Sequence, residues 1–170
     1  YMTYTVTLSN QSAFATTAVI SLVGSATSGT DYVVKDSGGN PITVSDGQFT
    51  LTIAAGATTA SFRVYPTSDT LYEGNETVTA TAVVTTNSQT LSATDGGSLS
   101  ASGSITDNDL PTAQIAVASS PVLEDGGGYM TYTVTLSNQS AFATTAVISL
   151  VGSATSGTDY VVKDSGGNPI

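Results

Sequence analysis

The chain has 170 residues, with 13 acidic side chains against three basic ones, a formal net charge of −10. Nucleic acid and anionic membrane surfaces need Lys and Arg to neutralise their phosphates, so this balance excludes both as partners and favours a cationic one. There is no Cys and no His, so no disulfide can staple the fold, and the commonest general base and transition-metal ligand are missing.

In chain order, "MTYTVTLS" (2–9) puts Met2, Tyr4, Val6 and Leu8 on one face and Thr3, Thr5 and Thr7 on the other. That alternation predicts a half-buried strand. "TAVISLV" (17–23) predicts another, and "YVVK" (32–35) a short one before the turn "DSGGNP". "QFTLTIA" (48–54), "ASFRVYP" (60–66), "ETVTATAVV" (76–84) and "LSASGSI" (99–105) follow. "TAQIAVA" (112–118) begins a new series, and "MTYTVTLS" returns at 130–137. Gly, Asn and Asp stand where the turns need positive φ. Several short strands with no helical period predict an all-β protein of antiparallel, immunoglobulin-like β-sandwich modules in tandem, almost without helix. No apolar run approaches the roughly 20 residues that span a bilayer, so no membrane insertion is expected.

Residues 1–42 recur letter for letter as 129–170, an offset of 129 − 1 = 128 residues. That period is too long for a solenoid unit, so each period is read as a whole domain. The chain then reads as a fragment of an array. Residues 1–110 form a module lacking its first strand, and 111–170 form the first half of the next, with the boundary at "DNDLPTA" (107–113). The expected partners are identical modules, met in tandem or by strand exchange between chains that fills the unpaired edge.

Strands that alternate in direction place their connections alternately at the two ends of a sandwich. By that parity "GSATSGTDY" (24–32), "PTSDTLYEGNE" (66–76), "TDND" (106–109) and "PVLEDGGG" (121–128) share one pole. The loops "NQSAFATT", "AAGATT" and "NSQTLSATDGGS" go to the other, with only Asp95 among them acidic. The first pole thereby collects Asp31 or its copy Asp159, Asp69, Glu73, Asp107, Asp109, Glu124 and, by proximity, Asp125. Unit charges about 4 Å apart repel by about 4 kcal/mol at an effective dielectric near 20. Such a cluster therefore calls for a cation. With oxygen ligands only, the expected ion is Ca²⁺, which accepts irregular loop geometry more readily than Mg²⁺.

"VLEDGGGYMTYTVTLSN", "SGTDYVV", "YEGNE" and "GSITDNDLP" together resemble the Calx-beta domain, in particular the Calx-beta-like repeats of very large bacterial surface adhesins. The resemblance covers essentially the whole period. It implies a seven-stranded sandwich binding Ca²⁺ at one pole, in an extracellular protein of the cell surface. By position it implies ligands at Glu124, Asp31 and Asp159, Asp69, Glu73, Glu76, Asp107 and Asp109. Ser68, Thr70 and Asn108 interrupt acidic runs found in the regulatory members, which implies fewer ions and a structural role.

No activated nucleophile is apparent, and no enzyme activity is expected. "NQS" (10–12) and "NET" (75–77) fit the glycosylation pattern, but Asn75 reads better as part of its turn. The expected function is a structural extender in a long extracellular fibre, stiffened by calcium near the linker. The alternative is a directly adhesive module contacting a glycan, ice or another surface through an exposed Thr or aromatic row.

Overall fold

The computed structural model describes residues 1–93 and 99–170. Asp95 therefore lies outside the described residues. Among these the protein is all-β and antiparallel, with no helix. The strands are β1 (Met2–Thr7), β2 (Thr16–Val23), β3 (Tyr32–Asp36), β4 (Gln48–Ile53), β5 (Thr59–Pro66), β6 (Glu76–Thr86), β7 (Gln89–Leu91), β8 (Ser100–Ile105), β9 (Ala113–Ala118) and β10 (Thr131–Leu136). One sheet has the order β1-β5-β3 and a second β4-β2-β6, with β7 and β8 both paired to β6. β9 and β10 form a separate two-stranded sheet.

The chain divides into two compact units. The first is Tyr1–Ile115 with Thr135–Phe142, and the second is Ala116–Val134 with Ala143–Ile170. The first holds the core. Alternation along β2 turns Ala18, Ile20 and Leu22 inward while Thr17, Val19 and Val23 stay out, and β4 does the same with Phe49, Leu51 and Ile53. From the other sheet Tyr4, Tyr32, Val34, Phe62 and Val64 enter the same cluster. Two sheets that bury their inner faces in one core are consistent with a β-sandwich. Phe62 is at its centre, stacked on Tyr4 at 5.1 Å and meeting Phe49 edge-on at 4.9 Å. The Tyr4 ring packs in the core while its hydroxyl donates to the carbonyl of buried Val78 in the other sheet, at 2.7 Å.

The strands lie close to where alternation puts them, with one difference. β7 is absent from the sequence reading, which treats its residues as loop. Asn87 and Ser88 take φ of 45° and 64°, a left-handed pair that closes a tight hairpin and returns the chain against β6. The two copies of the β2 sequence differ from each other. Residues 144–151 have the sequence of 16–23 yet form no strand. In the first copy β2 is bonded on one edge to β4 and on the other to β6. Residues 144–151 are paired with no strand among the described residues.

β1 pairs with β5 alone among the described residues. Beside it a crevice of about 230 Å³ opens between Tyr4, Val6 and Phe62 of one sheet and Ile20, Ala82, Leu99 and Ala101 on the other side. On the outer face of the three-stranded sheet, Lys35 covers the Tyr65 ring at 4.7 Å and Arg63 the Tyr1 ring at 5.0 Å. Two of the three cations are thus held on aromatic faces.

Candidate functional site

The connections 24–31, 66–76 and 106–109 of the first unit come together at one end. Gly24 permits the first to lie against the start of β6: a Cβ there would stand 2.0 Å from the Thr77 carbonyl oxygen. The Ser25 hydroxyl accepts the Thr77 amide at 3.0 Å, and the Ala26 amide donates to the Thr77 carbonyl at 3.2 Å. The Thr67 amide then donates to the Asp31 carbonyl at 2.8 Å, which joins the first connection to the second.

Asp107 joins the third. Its Oδ2 accepts the amides of Glu73 and Gly74, both at 2.6 Å, and its Oδ1 accepts the Asp109 amide at 2.7 Å. Its own amide donates to Asn75 Oδ1 at 3.0 Å, a further link between the 106–109 and 66–76 connections. Asp69 Oδ1 takes the Leu71 amide at 2.7 Å, and Asp31 Oδ2 takes the Thr27 amide at 2.6 Å.

A cleft of about 140 Å³ is lined by Asp31, Asp69, Glu73, Glu76, Asp107 and Asp109, and no Lys or Arg lines it. Partial desolvation pushes the Glu73 and Glu76 carboxyls above their ordinary value, and the charges of Asp31, Asp69 and Asp107 push the same way. Asp107 is held below its ordinary value by the amides it accepts, the Asp109 amide foremost.

Six of the nine sequence-predicted residues therefore share one cleft. Glu124, Asp125 and Asp159 belong to the second unit. Glu124 and Asp125 are in an exposed turn, and Asp159 Oδ2 caps the Thr155 amide at 2.7 Å, repeating the Asp31 contact. The expectation of Ca²⁺ is overturned: no group of three or more Asp, Glu, His or Cys among the described residues is arranged to hold a metal ion. The physical reason lies in the hydrogen bonds. Asp107 turns both carboxylate oxygens to backbone N–H groups, and Asp31 and Asp69 each turn one to a nearby amide. These carboxylates brace loops, a use open to any Asp near a turn amide.

A further set of contacts at this pole went unread in the sequence. Within the first unit, residues 137–142 lie along the 70–74 loop. The Tyr72 amide donates to the Gln139 carbonyl at 3.0 Å, and the Ala141 amide donates to the Tyr72 carbonyl at 2.8 Å. Asn138 Nδ2 donates to the Asp109 carbonyl and, at 3.3 Å, to the Thr70 carbonyl. The Phe142 ring meets Tyr72 at 5.8 Å between centroids and rests over Gly74. Loop parity held the signal, because it assigns "NQSAF" to one pole and the 66–76 loop to the other, where consecutive repeats would meet.

Comparison with descriptions of known protein families, with curated proteins and with solved structures finds no match.

Proposed function

We propose that this chain is a spacer: a stretch of a long extracellular array of β-sandwich repeats that supplies length. The observation that carries this reading is the verbatim recurrence of 42 residues at an offset of 128, loops included. A binding site needs one good copy, whereas a spacer gains reach from each additional one. The resemblance to Calx-beta-like adhesin repeats supports the same reading. The net charge of −10 supports a chain that stays soluble and apart from its like when extended. The open edge of β1 gives the array a means of continuity. β9 pairs with β10, and β10 repeats residues 3–8 of the β1 region one period on. A β9-type strand from a preceding repeat or a neighbouring chain would run along β1 and cover the crevice beside it.

Pulling a chain of several periods in a single-molecule force experiment tests the reading. Each module should unfold separately, with an equal contour gain of about 128 × 3.6 Å, or about 46 nm, less the folded length. Unfolding without regular steps would contradict it.

A further inference from the structure

The 137–142 contact has a twin that meets no such loop among the described residues. Residues 7–14 have the same sequence as 135–142, "TLSNQSAF". The two copies also share a local shape: the Phe14 amide donates to Ser12 Oγ at 3.1 Å, and the Phe142 amide to Ser140 Oγ at 3.0 Å. Their surroundings differ. Asn138 is half-buried with the carbonyls of Thr70 and Asp109, from two other loops, in reach, while Asn10 is exposed and among the described residues reaches only Ser9 Oγ, at 3.4 Å.

Ser12 anchors the free copy from behind, through a 2.9 Å contact with Thr86 Oγ1 and by accepting the Gly56 amide at its carbonyl. That anchor fixes the loop at the Thr86 end of β6. The receiving 70–74 loop lies beside Glu76, at the other end of the same strand. Eleven residues of strand separate the two, roughly 35 Å. The first repeat therefore cannot fold its own 10–14 loop onto its own 70–74 loop.

We infer that residues 10–14 are a docking surface for the 70–74 loop of a preceding copy of this repeat, engaged as residues 138–142 engage that loop here. Plug and socket are different patches at opposite ends of one fold. The contact is therefore heterologous and propagates without closing. Asn138, or Asn10 in the next junction, is the central contact, because its side-chain amide joins the carbonyls of Thr70 and Asp109 from two separate loops. Backbone pairing at residue 72 sets the register, and the Phe ring adds a small contact, since Phe142 stays 56% exposed.

This inference rests on the spacer reading and can fail without it, because repeats joined by a loose linker would still add length. In the full chain, amide exchange followed by NMR should show Tyr72 and Ala141 protected. Asn138→Ala should speed both at least about tenfold, with the core amides of Phe62 and Val64 unchanged as a control for folding. Asn10→Ala should leave all four unchanged. Docking in trans uses an isotope-labelled chain carrying N10A and N138A, which has an emptied socket and no plug. Wild-type chain, added up to about 1 mM to suit a small interface, should shift the Thr70–Gly74 resonances in proportion to its concentration, and unlabelled N10A chain should not. Tyr72 exchanging as fast as Asn10 in the wild type, or no shift in the mixture, would overturn the inference.

Discussion

Asp107 accepts three backbone amides, and Glu73, whose amide is one of them, carries a carboxyl pushed the opposite way in proton affinity. The two shifts have opposite consequences. Glu73 and Glu76 have folded-state affinities raised above the ordinary 4.5, so their contribution is fully present below that value and is lost as pH rises through the folded pKa. Asp107 and Asp36 are depressed below 3.8. Their contribution is present above 3.8 and is lost as pH falls through the folded value. The urea midpoint of the first unit should therefore rise as pH drops from neutral into the glutamate window. It should fall again below the ordinary aspartate value. Asp107→Asn should flatten the acid-side fall, and an unaltered acid limb in that variant would count against the role given to Asp107. The presence of these acids at one pole was legible in the sequence, because loop parity is a matter of counting strands. Their use was not. Whether a carboxylate braces a turn or faces an ion depends on which N–H lies within 3 Å, and nothing in "SDT" or "DND" specifies that.

At the scale of elements, the chain holds its own control experiment. Residues 16–23 and 144–151 are identical, yet the first are a central strand and the second are not a strand. Ile20 is 1% exposed and its twin Ile148 is 51% exposed. Propensity is the same in both places, so pairing with β4 and β6 makes the difference. Ile20→Ala should cost about 2–5 kcal/mol in unfolding of the first unit. Ile148→Ala should stay within about 0.5 kcal/mol, and equal losses in the two would refute this account. Alternation places β1 to β6 to within a residue or two because each turns one face to the core, and it places β8 as closely although no β8 residue is fully buried. It missed β7, whose three residues are a hairpin return made by the left-handed turn at Asn87 and Ser88 rather than by a hydrophobic period. The two copies of β2 carry the same pattern, and a pattern read along one segment carries no information on the presence of its neighbours.

At the scale of the whole molecule, period and polarity belong together. β6 of the first unit separates an acidic end, where the 70–74 loop receives "NQSAF", from the end where the same five residues meet no such loop among the described residues. A fold with complementary ends and a verbatim repeat suits end-to-end growth. Half of this was readable from the sequence: the repeat, and the allocation of loops to poles. The meeting of the two loops was not, because Asn10 and Asn138 look alike as letters and differ only in what stands opposite them.

The spacer account is tested most directly by small-angle X-ray scattering from chains of one, two, three and four complete periods. The account predicts a maximum dimension that increases by a constant step with each added period. Growth nearer the square root of the number of periods, as for modules on flexible tethers, or no growth because the modules collapse together, would contradict it.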